Sequence, residues 1–561
     1  MTRGAAFTPA EVERCWRDAL ALWDVRVELS PPEPHRPFNP GADAKDEPLA
    51  YIDMVRRQVF VHFEQLDRMG ARDSLTAVLA HEIGHHVRFP HTLGWDAELR
   101  VVEQRLIPGL GQSLTNLFFD LQVNEFVGRT HAEALCEVYR GFLRAPEPGQ
   151  EPAPSGGPTP LFCFYLALYE ELWSREPGDL VPRGRLEQLE QDYPGFRAQA
   201  RMFVQTFYAL PDGRLQFLYF CAAFIRYIDV PADTRFRIPL AGDVSLPDED
   251  DLDAAVQSGS RWDDALEEAR SQGWLDATHD TKDAEPLTTI GRVTDHLPGK
   301  GGGKLRRALV ARHYRRLVDR HLLKLPSAPS QPEPYLRTTP EAWEYGDDPS
   351  TIDWTLTVVT QGHLAAISPL RRELEADLPS PSDLGVPAVE LYLDTSGSMP
   401  NPEYQLNAMT LAAQVLAASA LRKGATVRGV VYSSDLPVVS PWMYDEETAR
   451  DFLLHYIGGG TWFPVQEMEA FASERPDVLR VIISDSDFLA NMQEKGALER
   501  LGRAVAKSRR VVAFLAVPDE AQARKVLEPV LRDKRFRLAT VQWMSDFGPA
   551  AAALADALLE R

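Results

Sequence analysis

Val389 to Met399 reads VELYLDTSGSM. Its first five residues have the apolar character of a buried strand, and the rest turns abruptly to small oxygen-bearing side chains. Four more strand-like runs follow, at Thr426 to Ser433, Leu479 to Asp485, Arg510 to Ala516 and Leu538 to Trp543. Helical patterns fill the gaps, at Glu403 to Arg422, Thr448 to Tyr456, Val465 to Ala472, Lys495 to Ala506 and Glu520 to Leu531, with a last helix at Pro549 to Leu559. Parallel strands need crossover connections, so this alternation specifies a doubly wound α/β sheet covered on both faces. Ligands of such sheets sit at the carboxyl ends of the strands.

That end is where the polar residues fall. Asp394, Ser396 and Ser398 stand at alternate positions, Thr461 follows the Gly458-Gly459-Gly460 turn, and Asp485 closes the run LRVIISD, with Asp487 just beyond. Five oxygen donors on strand ends suit a hard cation such as Mg²⁺, which takes oxygen ligands in octahedral geometry. A nucleophilic serine is excluded, because D-T-S-G-S is not G-x-S-x-G and no histidine follows His455.

Upstream, residues 1–245 are mostly helical by pattern, with one extended pair at Ala50 to Arg56 and Gln58 to Phe63, an α+β composition. Ser74 to Arg88 (SLTAVLAHEIGHHVR) predicts a helix capped by Asp73 or Ser74 and stopped by Pro90. Positions i and i+4 share a helix face, so His81 and His85 can present imidazoles to one tetrahedral ion. Glu82 falls beside such an ion, where a general base for an activated water is needed. Three residues compete for the third ligand. His91 stands six residues past His85, but Arg88 replaces the turn glycine of that spacing. Asp120 and Glu125 lie on a second helix, Leu114 to Val127. A carboxylate on an apolar helix is costly to bury without a partner, which favours Asp120, with Asn116 and Asn124 orienting the ligands from behind.

The chain has 561 residues, more than one core holds, and a formal charge of −22. A surface so acidic repels phosphate backbones and makes the whole protein a poor nucleic-acid binder. Cys15, Cys136, Cys163 and Cys221 form no C-x-x-C pair, which excludes a zinc ribbon and suits a reducing compartment. The N-terminus lacks an apolar signal core, and the longest apolar runs, Leu161 to Tyr169 and Leu215 to Ile225, fall short of a membrane span. The expectation is a cytoplasmic protein without a membrane segment. Ala145 to Pro160 is Pro/Gly-rich and reads as a loop. Residues 246–385 read as a linker and helical region. It begins with an acidic, solvated stretch carrying one short helix. It continues through Gly299 to Lys304 (GKGGGK), which lacks phosphate-loop spacing, into a basic amphipathic helix over 304–325. That helix has two readings: a scaffold pairing with the acidic stretch, or a docking surface for an acidic partner or polyanion.

Residues 386–561 resemble a von Willebrand factor A (VWA) domain, and DTSGS with Thr461 and Asp485 resembles its metal-ion-dependent adhesion site. The resemblance implies Mg²⁺ held by Ser396, Ser398 and Thr461, with Asp394 and Asp485 bound directly or through water, and a partner's carboxylate completing the shell. HEIGHH followed by NLFFDLQVNE resembles zincin-like metallopeptidases, in particular a bacterial group that joins such a unit to a C-terminal A domain; Trp343 to Trp354 (WEYGDDPSTIDW) is similar to that group as well. This implies Zn²⁺ on His81, His85 and Asp120, a peptide or protein substrate, and a MoxR-type AAA+ ATPase as partner. Two functions compete: a zinc-dependent peptidase whose A domain recruits a partner or substrate, and a non-catalytic adaptor of an AAA+ ATPase in which the zincin-like part is structural.

Overall fold

The computed structural model describes residues 7–23, 28–36, 48–108, 110, 114–144, 158–228, 247–276, 286–295, 302–323, 334–336, 340–362, 369–372, 374–376, 388–434 and 436–546. The chain forms two compact units, 1–310 and 311–561.

In the first unit, helix α1 (Pro9–Leu22) starts at a reciprocal cap. The Thr8 hydroxyl accepts from the Glu11 N–H while the Glu11 carboxylate accepts from the Thr8 N–H. Three strands follow, β1 (Ser30–Pro34), β2 (Ala50–Asp53) and β3 (Gln58–Val61), in the order β1-β3-β2. The expected extended pair is present as antiparallel β2 and β3, in shorter strands. The sequence SPPEP of β1 was not expected to pair; three prolines are tolerated because it lies at a sheet edge.

Helices α2 (Leu75–Val87), α3 (Leu93–Leu106), α4 (Leu114–Leu143), α5 (Pro160–Leu172), α6 (Phe196–Phe207) and α7 (Gly213–Ile225) complete the frame. Helix α4 was expected to stop at Val127. It runs on to Leu143 through a non-helical residue, His131 (φ −124°, ψ 25°), which redirects its second half. One core joins α1, the small sheet, α2 and the middle of α4 through Trp16, Ile52, Leu79, Ile83 and Val123. A second core is aromatic and built on α4 to α7, with Phe220 and Phe224 stacked at 4.2 Å and Phe164 and Tyr227 at 4.4 Å. The two long apolar runs are thus α5 and much of α7, buried in protein; each large side chain removed from water there contributes about 1.5–3 kcal/mol. Among the described residues, no helix is long and apolar enough to cross a membrane.

The acidic stretch is more ordered than a linker. It forms α8 (Glu249–Gln257) and α9 (Asp263–Ser271). Leu252, Trp262 and Leu266 are buried, with Trp262 stacked 5.8 Å from Trp95. Dense surface charge had masked the apolar residues that anchor these helices. The expected loop at Ala145 to Pro160 lies mostly outside the described residues, as do Gly299 to Gly301 of GKGGGK.

The basic helix is α10 (Gly302–Arg320); Leu325 of the expected span lies outside the described residues. Within the second unit its last turns act as scaffold. The Tyr314 hydroxyl accepts from the Asn407 N–H at 2.9 Å, the Leu323 N–H donates to Ser419 at 2.9 Å, and Asp319 pairs with Arg422 at 2.7 Å.

The sheet of the second unit uses β4 (Ala388–Asp394), β5 (Thr426–Tyr432), β6 (Val438–Val439), β7 (Leu479–Asp485), β8 (Arg510–Ala516) and β9 (Phe536–Val541) in the order β6-β5-β4-β7-β8-β9. All neighbours are parallel except the short β6. Helices α11 (Ala408–Leu421), α12 (Glu446–Leu453), α13 (Val465–Glu474), α14 (Asp487–Met492), α15 (Ala497–Lys507), α16 (Glu520–Val526) and α17 (Glu528–Leu531) connect them. The expected helix at Glu520 to Leu531 is therefore two short pieces, and the one expected at Pro549 to Leu559 lies outside the described residues. From β4 the chain goes first to β5 on one side and later to β7 on the other. This reversal opens the switch-point crevice between the carboxyl ends of β4 and β7, where Asp394 and Asp485 stand. At the opposite end of the same strands, Glu390 is fully buried between Arg428 and Arg480, whose Nε atoms donate to it at 3.0 and 3.1 Å.

Two candidate metal centres

Helix α2 is buried on nearly every side, which draws both of its motif histidines into the interior. It packs against α1, where the Trp23 indole donates to the Ala80 carbonyl at 2.9 Å, and against α4. Gly84 permits that approach: a Cβ there would meet Val123 at 2.4 Å and Trp23 at 2.6 Å. Close packing brings Asp120 of α4 to the histidine face. His81 Nε2 and His85 Nε2 are 3.1 Å apart, and Asp120 Oδ1 lies 3.6 and 3.4 Å from them. These three donors form the cluster able to hold a metal ion among the described residues.

The far side of each ring shows what faces the centre. His85 Nδ1 is 2.9 Å from the Phe89 carbonyl, which can only accept, so Nδ1 carries the hydrogen. His81 Nδ1 is 2.8 Å from Asn124 Oδ1, also an acceptor. Both Nε2 atoms therefore turn lone pairs toward each other and toward a carboxylate whose two oxygens have no hydrogen-bond partner. With both rings neutral, three acceptors converge there, and a cation between them relieves their repulsion. Burial holds the His85 pKa below its usual value, with Asp120 pulling the other way and the neighbouring His81 adding to the effect. Two imidazole nitrogens and a carboxylate oxygen are the donor set zinc takes.

The remaining expected residues sort themselves around this triad. Glu82 is buried and lines a small cavity of about 30 Å³ together with His81, Asn124, Tyr139, Leu49, Ala50, Val78, Leu135 and Val138. Asn124 lies behind His81, its Oδ1 2.8 Å from Nδ1. Asn116 serves differently: its carbonyl accepts from Arg100 at 3.0 Å, so its bond runs to α3 rather than to a histidine. Neither rival third ligand reaches the cluster. His91 is exposed and bonds the His86 carbonyl at 3.0 Å, while Glu125 pairs with Arg88 and Arg129 at 3.3 and 2.7 Å. Two tyrosines, Tyr139 and Tyr169, were missed. Each accepts from the Asn124 amide at 3.0 Å, and their place in apolar helical runs carries no signal of that role.

The second centre lies in the crevice between β4 and β7. Asp394 Oδ1 accepts from the Ser396 N–H at 3.0 Å, and Oδ2 accepts from the Ser484 hydroxyl at 2.6 Å. Ser396 and Ser398 hydroxyls are 3.1 Å apart, and Ser398 donates to Asp485 Oδ2 at 3.1 Å. Thr461 approaches from its loop and donates to Asp487 at 3.4 Å, so Asp487 links it to the group. The loops interlock through backbone bonds, Gly397 N–H to the Gly459 carbonyl at 2.6 Å and Gly458 N–H to the Thr395 carbonyl at 2.9 Å. Gly459 needs to be glycine, having φ +91° and only 2.7 Å between a Cβ and the Ser434 hydroxyl. Burial raises the pKa of both Asp394 and Asp485 above the usual carboxylate range. Clustered hydroxyls and carboxylates fit a hard cation in their donor chemistry.

The two units thus define a chain that carries a buried His₂Asp cluster on helices and an oxygen cluster at the switch point of a parallel sheet. No protein-family model and no curated protein matches it. Among solved structures, a von Willebrand factor type A protein from Catenulispora acidiphila matches at 15% identity and TM-score 0.22, over 31% of this chain and 42% of that one, a weak likeness that spans less than half of its length. The RO (RSR) protein of Deinococcus radiodurans matches at 12% identity and TM-score 0.22, over 88% and 93% of the two chains.

Proposed function

We propose that this chain is a zinc-dependent peptide hydrolase whose second unit, a VWA-type domain, binds Mg²⁺ and docks a protein partner. The observation that carries the first half is the convergence of His81 Nε2, His85 Nε2 and Asp120 Oδ1 within 3.1–3.6 Å, with both Nδ1 atoms already committed elsewhere. Bound there, zinc would acidify a water and polarise a carbonyl. Glu82, next in sequence to His81 and on the cleft wall, is placed to take the proton from that water and pass it to the leaving amine. Leu49, Ala50, Val78, Leu135 and Val138 make the wall apolar, suited to an aliphatic side chain of the substrate and to keeping bulk water out. The Mg²⁺ half rests on Ser396, Ser398, Asp394 and Asp485 meeting in one crevice, with Thr461 linked through Asp487. By resemblance, its partner is a MoxR-type AAA+ ATPase supplying a carboxylate.

One observation favours the adaptor reading. Glu82 and His81 are only 2% and 6% exposed, so the centre is closed to a polypeptide unless the cleft opens. Glu82→Gln separates the two. For the hydrolase, this variant retains zinc and loses cleavage of a peptide library. For the adaptor, it behaves as the unmodified protein in partner binding and no peptide is cut by either, while Asp394→Ala abolishes partner capture.

A further inference from the structure

We infer that Tyr139 and Tyr169 are positioning residues of the first centre: by accepting both amide hydrogens of Asn124, they hold its carbonyl against His81 and so keep the His81 hydrogen on Nδ1, away from Asp120. This rests on the reading of the triad as a metal site.

Asn124 lies one helical turn beyond Asp120 and is buried. The two ends of its amide are nearly identical in shape, so packing alone does not choose between its two orientations. Hydrogen bonding does when the two phenol oxygens offer lone pairs, and not hydrogens, to the amide. In the orientation present, Nδ2 donates to the Tyr139 and Tyr169 hydroxyls at 3.0 Å each, and Oδ1 is left to accept from His81 Nδ1 at 2.8 Å. The Tyr169 hydroxyl also shares a hydrogen bond of 2.6 Å with the Tyr165 hydroxyl, in which either oxygen can donate. The reversed amide would aim its N–H groups at His81 Nδ1. That would force the hydrogen onto Nε2, pointing it at His85 and Asp120 and closing the site to a cation. The phenols are held by ring packing, with centroids 5.1 Å apart for Tyr139 and Tyr169 and 4.9 Å for Tyr165 and Tyr169. Burial drives their pKa values upward, which keeps them neutral hydroxyls. Phenylalanine preserves the packing and removes only the oxygen, so substitution isolates the hydrogen bonds.

The experiment measures zinc affinity of the full chain by competition with a chromophoric chelator. In the Tyr139→Phe/Tyr169→Phe variant, affinity falls about tenfold to a hundredfold, the usual loss when a ligand's orienting partner is removed. Adding Asn124→Asp to that variant restores most of it, because a carboxylate has two equivalent acceptor oxygens and no wrong orientation. Tyr227→Phe, a buried tyrosine bonded to Gln199 instead, leaves affinity unchanged. Wild-type affinity in the folded double variant, or a loss that Asn124→Asp does not repair, overturns the inference while the metal site stands. Each single variant is read the same way should the double variant not fold. A wild-type chain that takes up no zinc removes the metal reading and the inference with it.

Discussion

The two centres use opposite strategies. In the helical unit, hydrogen bonds face outward from the rings, to Phe89 and Asn124, while His81 Nε2, His85 Nε2 and Asp120 Oδ1 converge inward. In the sheet unit, the donors satisfy one another: Ser398 serves Asp485, Ser484 serves Asp394 and Thr461 serves Asp487. A hydroxyl can turn its hydrogen toward a carboxylate when no cation is present and its lone pair toward a cation when one arrives. An imidazole whose Nδ1–H is committed has no such freedom. The first arrangement therefore suits a resident cation, whereas the hydroxyls of the second can turn either way.

The largest expected effect breaks this contrast at its root. His85→Ala or Asp120→Ala removes tightly bound zinc from the purified chain, as metal analysis would report, and leaves the Mg²⁺ response of the sheet unit untouched. If both variants keep a full zinc complement, the helical site is not where zinc sits. Next comes Glu390→Ala, which strands Arg428 and Arg480 in the interior and destabilises the sheet unit by about 3–5 kcal/mol. Hydrogen exchange should show faster opening in peptides from 388–546 and no change around α2 and α4. Gly84→Ala forces a methyl against Val123 and Trp23 and costs about 1–3 kcal/mol, by denaturation of the first unit, together with weaker zinc binding as α2 and α4 separate. The smallest effect tests whether the hydroxyls turn. Without Mg²⁺, Ser398→Ala costs only about 1 kcal/mol, since it removes ordinary hydrogen bonds. Its rise in Tm on adding Mg²⁺ should vanish while the wild-type rise persists; an equal rise in both would detach Ser398 from the cation.

Much of this was legible in the residues. Strand–helix alternation marked four of the five parallel strands to within one residue at either end, because buried parallel strands need continuous apolar runs. The fifth, β9, begins two residues before the expected span and ends two before it, its exposed residues blurring the pattern. His81 and His85 were readable because helical spacing alone puts them on one face. Less legible were features that depend on distant partners. The prolines of β1 spoke against a strand, and only β3 supplied its ladder. The acidic helices hid a tryptophan anchor under surface charge. The Glu390–Arg428–Arg480 triad carries no signal within any one strand, because register across three strands is what brings it together.

Local spacing by itself determined the chemistry on offer: an imidazole pair with an adjacent carboxylate on α2, and alternating oxygens at the end of β4. Those follow from helix and strand periodicity, which need no neighbours. Tertiary structure alone decided which acid joins the imidazoles, which nitrogen of each ring faces inward, and that the sheet's donors meet in one crevice. Asp120, His91 and Glu125 are equally able ligands as isolated side chains. Only the packing of α4 against Gly84 and the placing of the Phe89 carbonyl, Asn124 and the tyrosines behind the rings distinguish them, because coordination depends on distances between segments that the chain order does not specify.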